Sequence, residues 1–275
     1  MSDTSCTHDC SHCGAGCGSR EQKSSLAPLN ECSHVKKVIA VMSGKGGVGK
    51  SMVTGLLAVL ASRMGYKTAV LDADITGPSI PRMFGIHEKI TADAMGMIPG
   101  ISKTGVRAMS MNLLLENESD PVVWRGPVIA GVIKQFWSEV VWDDVDVMFI
   151  DMPPGTGDVA LTVFQSIPVN GVILVTTPQE MVEMIVEKAV KMANLMNISV
   201  LGLVENMSYY ICPHCNHRHF PFGDNDPKQL ADKYGIPMVA RLPIEPKLAA
   251  ASDKGMIELF EGDWLNELIS AVLKV

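Results

Sequence analysis

VIAVMSGKGGVGKS, residues 38–51, decides the fold. Its first five residues, Val38, Ile39, Ala40, Val41 and Met42, form a short apolar run of the kind that fills a buried parallel strand. The run stops at a Gly-rich loop, and a helical pattern begins at about Lys50. Gly44, Gly49, Lys50 and Ser51 satisfy G-x-x-x-x-G-K-[ST] in its strand–loop–helix setting, the signature of a phosphate-binding P-loop. Such a loop (Gly44, Lys45, Gly46, Gly47, Val48, Gly49, Lys50, Ser51) turns backbone N–H groups inward as an anion nest, and the helix that follows adds its positive N-terminal end. Lys50 is expected on the β- and γ-phosphates of ATP, and the Ser51 hydroxyl on Mg²⁺. The plainer alternative is a Gly-rich turn joining strand to helix.

Lys45 lies too early in the loop to fold back easily onto its own phosphate, and it is better set to project toward a neighbour's nucleotide. That pattern is similar to the deviant Walker A loop of MinD/ParA-like ATPases, whose paired subunits sandwich two ATPs with this lysine acting in trans. A solvated loop lysine is the competing reading.

Working outward, the chain has 275 residues, 47% of them apolar, enough for one large α/β domain with an appendage. A net charge of −7 argues against a nucleic-acid footprint. No apolar run approaches the roughly 20 residues of a membrane span, and the first residues are unlike a signal peptide. Seven cysteines are an odd number, unevenly clustered, which suits metal or cluster ligands in a cytoplasmic protein better than disulfides.

Residues 1–34 stand apart as a Cys-rich leader, with residues 35–275 as the ATPase domain. The leader has almost no large apolar side chain, so it is expected to be flexible unless a metal supplies its folding free energy. Cys6, Cys10, Cys13 and Cys17, spaced C-x3-C-x2-C-x3-C, could hold a second Fe–S cluster or one Zn²⁺, with His8 and His12 as substitutes. A thiol-rich tail without fixed metal is the alternative, and Cys32 is assigned nothing.

Strands are predicted at 38–42, 68–71, 145–150, 172–176, 200–204 and 238–242, with helices between most of them. That is the alternation of a doubly wound, mostly parallel α/β sheet. Residues 87–120 read poorly, with a short strand at 106–109. The second strand runs into DADITGPS, and ligands sit beyond the carboxyl ends of such strands. Asp74, and less so Asp72, is therefore expected at the phosphates, orienting the attacking water; either could instead cap the next helix. The strand at 147–150 ends in DMPPGTGD, where Asp151 fits a Walker B carboxylate for Mg²⁺ and Gly155 offers a backbone N–H to the γ-phosphate. Residues 179–196 read as an amphipathic helix. Asn206, at the end of a strand at 199–205, either meets the adenine edge or makes a turn.

YYICPHCNHRHFPFG then supplies Cys212 and Cys215 as C-x2-C, two ligands where a [4Fe–4S] cluster or Zn²⁺ takes four. His214, His217 or His219 could complete a Zn²⁺ site within the chain, or the leader cysteines could fold over. The same pair from a second subunit could supply the rest across a two-fold axis, which needs nothing beyond the dimer already suggested by Lys45. A redox C-x2-C lacks its thioredoxin-like setting.

SGKGGVGKS, DADITGPSIPRMFG, WRGP (residues 124–127), DMPPGTGD, VENMSYYICPHC and LPIEP…SDKG together resemble the Mrp/ApbC family of ATP-dependent iron–sulfur cluster carriers, over residues 35–255. The resemblance implies a homodimer bridging a [4Fe–4S] cluster through Cys212 and Cys215 of each subunit, slow ATP hydrolysis, and delivery to apo iron–sulfur proteins. On that pattern residues 44–51 cradle ATP, Lys45 acts in trans, Asp74 serves hydrolysis, Asp151 serves Mg²⁺ and Asn206 faces adenine. Met52 and Gly55 depart from it, standing where Thr or Ser and Asn are common. The rival reading is a Zn-stabilised positioning or regulatory ATPase of the MinD/ParA type. Its membrane-bound forms would want a basic amphipathic end; residues 263–275 read instead as a packing helix with one lysine.

Overall fold

Alternation within the apolar runs sorts two cores. Val38, Ala40 and Met42 pack with Leu71, Ile150 and Leu174 on one face of the sheet. Ile39 and Val41 pack with Val70, Phe149, Ile173 and Val175 on the other. Both faces are apolar, as a parallel sheet covered on two sides demands. The computed structural model describes residues 26–115, 117, 126–179 and 182–274. The leader positions Cys6, Cys10, Cys13, Cys17, His8 and His12, and Trp124 and Arg125 of WRGP, lie outside the described residues.

The sheet is built from β1 (Val38–Ser43), β2 (Thr68–Asp72), β3 (Gly100–Ile101), β4 (Arg107–Met109), β5 (Val147–Asp151), β6 (Gly171–Thr176), β7 (Val200–Ile211), β8 (Arg218–His219) and β9 (Val239–Pro243). Across the sheet the order is β8, β7, β6, β1, β5, β2, β4, β3, with β9 also on β7. All pairings are parallel except β3 with β4 and β8 with β7. The doubly wound α/β architecture expected from the alternation is the one the chain forms. Helices α1 (Lys50–Arg63), α2 (Ile80–Phe84), α3 (Gly126–Ser138), α4 (Asp158–Ser166), α5 (Val182–Leu195), α6 (Pro227–Tyr234), α7 (Pro246–Asp253) and α8 (Asn266–Lys274) complete it. No described helix is long and apolar enough to cross a membrane.

Helix α1 is buried along most of its length, Val53, Leu57 and Ala58 completely. Each such Val or Leu stabilises by roughly 1.5–3 kcal/mol. Gly55 belongs to this packing, since a Cβ there would sit 2.8 Å from Ile257 Cδ1. The terminal helix α8 buries Leu268, Ile269 and Val272, so it packs as expected.

Three boundaries differ from the sequence reading. The strand expected over 200–204 continues to Ile211, because a bulge with Met207 at φ 56° shifts the register and lets pairing resume at Tyr209 opposite Pro243. Asn206 therefore lies inside a strand, and the turn reading is wrong. The strand expected over 145–150 is two: Asp144–Val145 pairs with His34–Val35, and Val147–Asp151 joins the main sheet. Asp146 between them accepts from Lys36 Nζ at 2.7 Å and the Lys67 N–H at 2.8 Å. The amphipathic helix expected over 179–196 is described over Val182–Leu195. Chain packing also begins before residue 35, with the Ala27 N–H on the Ser166 carbonyl and Trp137 Nε1 on the Ala27 carbonyl.

Candidate functional site: a phosphate cradle and a thiol hairpin

The parallel register brings the carboxyl ends of β1, β2 and β5 together. Val41 stands opposite Asp151, and Asp151 opposite Asp72. The P-loop emerges from β1 at this edge, with Gly47 and Gly49 both at φ 79°, a left-handed conformation that glycine adopts without strain. Gly49 is the N-cap of α1.

Lys50 is 6% exposed and its ammonium sits 2.8 Å from Asp151 Oδ1 and 3.7 Å from Asp74 Oδ2. Ser51 Oγ donates to Asp151 Oδ2 at 2.6 Å, and Thr54 Oγ1 donates to Asp151 Oδ1 at 2.8 Å. A fully buried carboxylate is thus met by one ammonium and two hydroxyls, which offset its desolvation. A cavity of about 400 Å³ opens in front, lined by residues 46–52 with Asp74, Arg82, Pro154 and Asp253. Met52 is on that wall.

Asp72 and Asp74 part company. Asp72 is completely buried and accepts from the N–H groups of Asp74, Ser79 and Ile80 and from Ser110 Oγ at 3.1–3.3 Å. It pins the loop after β2 and caps the start of α2. Burial pushes its carboxyl up to about 8, Asp151 opposite adding to the rise and Lys50 opposing it. Asp74 keeps partial exposure on the cavity wall; burial raises its pKa above the ordinary value, again against Lys50.

Lys45 is half-buried, and its ammonium bonds to the Gln179 side chain. Gly44 is packed so that a Cβ would lie 1.7 Å from Ile185 Cγ2, which fixes the loop against α5. Asn206 is 3% exposed and donates from Nδ2 to the Val48 carbonyl at 2.9 Å, a strut beneath the loop. The Gly155 N–H, expected at a phosphate, donates to the Ser43 carbonyl at 2.8 Å, and this closes the turn after β5 onto β1.

Beyond Asn206 the strand β7 runs out of the fold and carries the second feature. Cys212 is half-buried and Cys215 exposed, both as free thiols. The Cys212 N–H donates to the His217 carbonyl and the Asn216 N–H to the Cys212 carbonyl, each at 2.9 Å, with Asn216 left-handed at φ 57°. Main-chain bonds therefore close this turn. The N–H groups of His214 and Cys215, then the Cys215 side chain, hold the Cys212 thiol below its ordinary pKa. His219, opposite Tyr210, completes a group with Cys212 and Cys215 whose ligand atoms lie within 4.8 Å of one another. Arg241 ties the hairpin to the sheet. Its Nε donates to Glu205 Oε1 at 3.1 Å and Ser208 Oγ at 2.7 Å, and its Nη2 to Asp224 Oδ1 and the Asn225 carbonyl.

Thr54, Ser110, Gln179 and Arg241 escaped the sequence reading. Only Thr54 left a local trace, four residues after Lys50 and so on its helix face.

These features define a P-loop NTPase. The family model described as "ParA: NUBPL iron-transfer P-loop NTPase" matches residues 34–273, and the chain belongs to that family. An iron–sulfur cluster carrier protein of Clostridium perfringens is 42% identical over 94% of this chain and 98% of its own length. One from Methanocaldococcus jannaschii is 46% identical over 82% of this chain and 78% of its own. Among solved structures, a nucleotide-binding protein of Archaeoglobus fulgidus in complex with ADP, with cobalt found by PIXE, superposes with a TM-score of 0.77 at 44% identity, covering 84% of this chain and 91% of that one. The cell-division ATPase MinD of Pyrococcus furiosus, at 20% identity and a TM-score of 0.61 over 86% of this chain and 98% of its own, shares the fold.

Proposed function

We propose that two copies of this chain bind and slowly hydrolyse ATP, carry a [4Fe–4S] cluster between Cys212 and Cys215 of each, and deliver it to apo iron–sulfur proteins. The observation that carries this reading is the pair of thiols on a hairpin grown from the strand that also props the P-loop through Asn206. From Asn206 to Cys212 that strand spans roughly 20 Å at 3.3 Å per residue. Exposed Tyr210 and Ile211, next to Cys212 in the chain, favour a second copy as the cover, since exposed apolar surface marks an interface. Two thiolates per chain match half of a four-thiolate cluster, and two-fold symmetry supplies the other half.

In this account residues 44–51 cradle the phosphates and Lys50 moves its charge from Asp151 onto the β- and γ-oxygens. Ser51 and Asp151, oxygen donors 2.6 Å apart, fit a hard cation and would hold Mg²⁺, which neutralises phosphate charge. Asp74 orients the attacking water, Lys45 leaves Gln179 to reach the partner's nucleotide, and Asn206 meets adenine with its remaining carbonyl oxygen. ADP in the Archaeoglobus relative and the carrier names of the others support the nucleotide and cluster halves of the reading.

The test is cluster transfer from anaerobically reconstituted full chain to an apo-acceptor, followed by recovery of the acceptor's activity. Cys212→Ser is expected to lose the core iron while still binding ATP, and Lys50→Ala to lose ATP-dependent transfer. Unaltered iron content in a Cys212→Ser chain also lacking residues 1–25 contradicts the bridged site.

A further inference from the structure

We propose that a single subunit holds a divalent d¹⁰ cation of the Zn²⁺ class on Cys212, Cys215 and His219, and that the bridged cluster competes for the same two sulfurs. The ion site follows from the hairpin of one chain; only the competition rests on the bridged reading.

Three features support a site built before any ion arrives. The ligand atoms of Cys212, Cys215 and His219 already lie within 4.8 Å of one another. A tetrahedral ion with Zn–S of about 2.3 Å and Zn–N of about 2.0 Å holds such atoms roughly 3.5–3.8 Å apart, so closure takes side-chain rotation of about an ångström. The turn bearing the cysteines is fixed by main-chain bonds between Cys212 and both His217 and Asn216. The third ligand is oriented too. Tyr210 pairs with His219 across the two strands, and their rings stack with centroids 4.9 Å apart and planes at 14°. His217 packs edge-on against His219 at 5.0 Å, further restricting the imidazole.

The donors decide the ion. Two thiolates and an imidazole suit Zn²⁺ and reject Mg²⁺ and Ca²⁺, which take oxygen. Three protein ligands leave a fourth tetrahedral position for water or for an incoming thiolate. That open position, at a site with Cys215 exposed, makes the ion exchangeable rather than sealed. A cluster bridged by four thiolates has no place for His219, so zinc on one subunit blocks cluster loading and the imidazole is the ligand that must leave.

The experiment titrates reduced, metal-free full chain with Co²⁺, whose strong visible ligand-field bands report tetrahedral geometry and whose near-ultraviolet charge-transfer band reports thiolate. Subtracting the Cys212→Ser spectrum removes any ion bound by other cysteines. The expected result is one tetrahedral Co²⁺ per subunit at this site on a monomer, displaced by Zn²⁺, with affinity at least tenfold weaker in His219→Ala. His219→Cys is expected to restore tight binding with a stronger charge-transfer band, and this separates loss of a ligand from loss of the hairpin. Unchanged Co²⁺ affinity and spectrum in His219→Ala, or binding at half an ion per subunit only in a dimer, overturns the proposal. Iron and sulfide content of the loaded wild-type chain measures the bridged cluster separately, so either reading can fail alone.

Discussion

The phosphate loop rises from β1 and is propped by Asn206 of β7, the strand that carries the thiol hairpin, yet the two are held in opposite ways. Around the loop, Lys50, Asp151, Thr54 and Asn206 are all buried and each answers another's hydrogen-bonding demand. On the hairpin, Cys215, His217, Arg218 and His219 are exposed, and Arg241 is one of its links back to the domain. A site whose donors and acceptors are matched inside one chain can recognise its ligand alone. A site with two thiolates and an imidazole facing solvent is finished by something that arrives.

The largest effect that would break this contrast is at Lys50. Lys50→Ala removes the ammonium from the phosphates and leaves Asp151 buried without its cation. Nucleotide affinity by calorimetry is expected to fall at least 100-fold, and loss of the partner of a buried charge costs about 3–5 kcal/mol. Retained affinity would mean that the loop is not the nucleotide site.

Lys45→Ala asks whether the loop is self-sufficient in catalysis as well as binding. Steady-state hydrolysis is expected to drop tenfold or more while ATP affinity changes less than threefold; equal turnover would remove the trans role. The bond from Lys45 to Gln179 is peripheral, so little stability is at stake.

Arg241→Ala sharpens the other side. It leaves Glu205, 4% exposed, without its cation and frees residues 220–225 from the sheet. Local opening is expected to become about 1–3 kcal/mol easier. Amide exchange should quicken about tenfold or more over 208–225 and stay unchanged at 44–51. Uniform quickening would mean that the two regions are one cooperative unit.

The smallest expected effect on ligand binding concerns Asp72, which is read through stability instead. Its folded value of about 8 lies above the ordinary 3.8, so between those pH values the folded chain keeps a proton that the unfolded chain has released. This group's contribution to stability therefore falls as pH rises through that window and levels off above it. Asp72→Asn is expected to flatten the slope of urea midpoints against pH; an unchanged slope would place the titration elsewhere.

Much of this was legible in the sequence, and the pattern of what was not is physical. Apolar runs ending in Asp72 and Asp151 marked their strands because burial on both faces leaves no polar alternation to misread. The P-loop was legible because its chemistry lies within eight consecutive residues. Asp74 was already favoured over Asp72 at the phosphates, but the donors that hold Asp72 were hidden, Ser110 lying 38 residues away. The continuation of β7 past Asn206 was hidden by the bulge at Met207, which breaks the two-residue period. Ser110 and Gln179 act on residues 38 and 134 positions away, and no local spacing reports such contacts. His219 was one of three histidines until the pairing with Tyr210 distinguished it.

The most direct test of the central claim is the mass, iron and sulfide of the anaerobically loaded chain, with Cys212→Ser alongside to subtract iron held elsewhere. The account predicts a dimer carrying four irons and four sulfides that Cys212→Ser loses together with the dimer-bridging cluster. A strictly monomeric chain that keeps the same Cys212-dependent iron would contradict it.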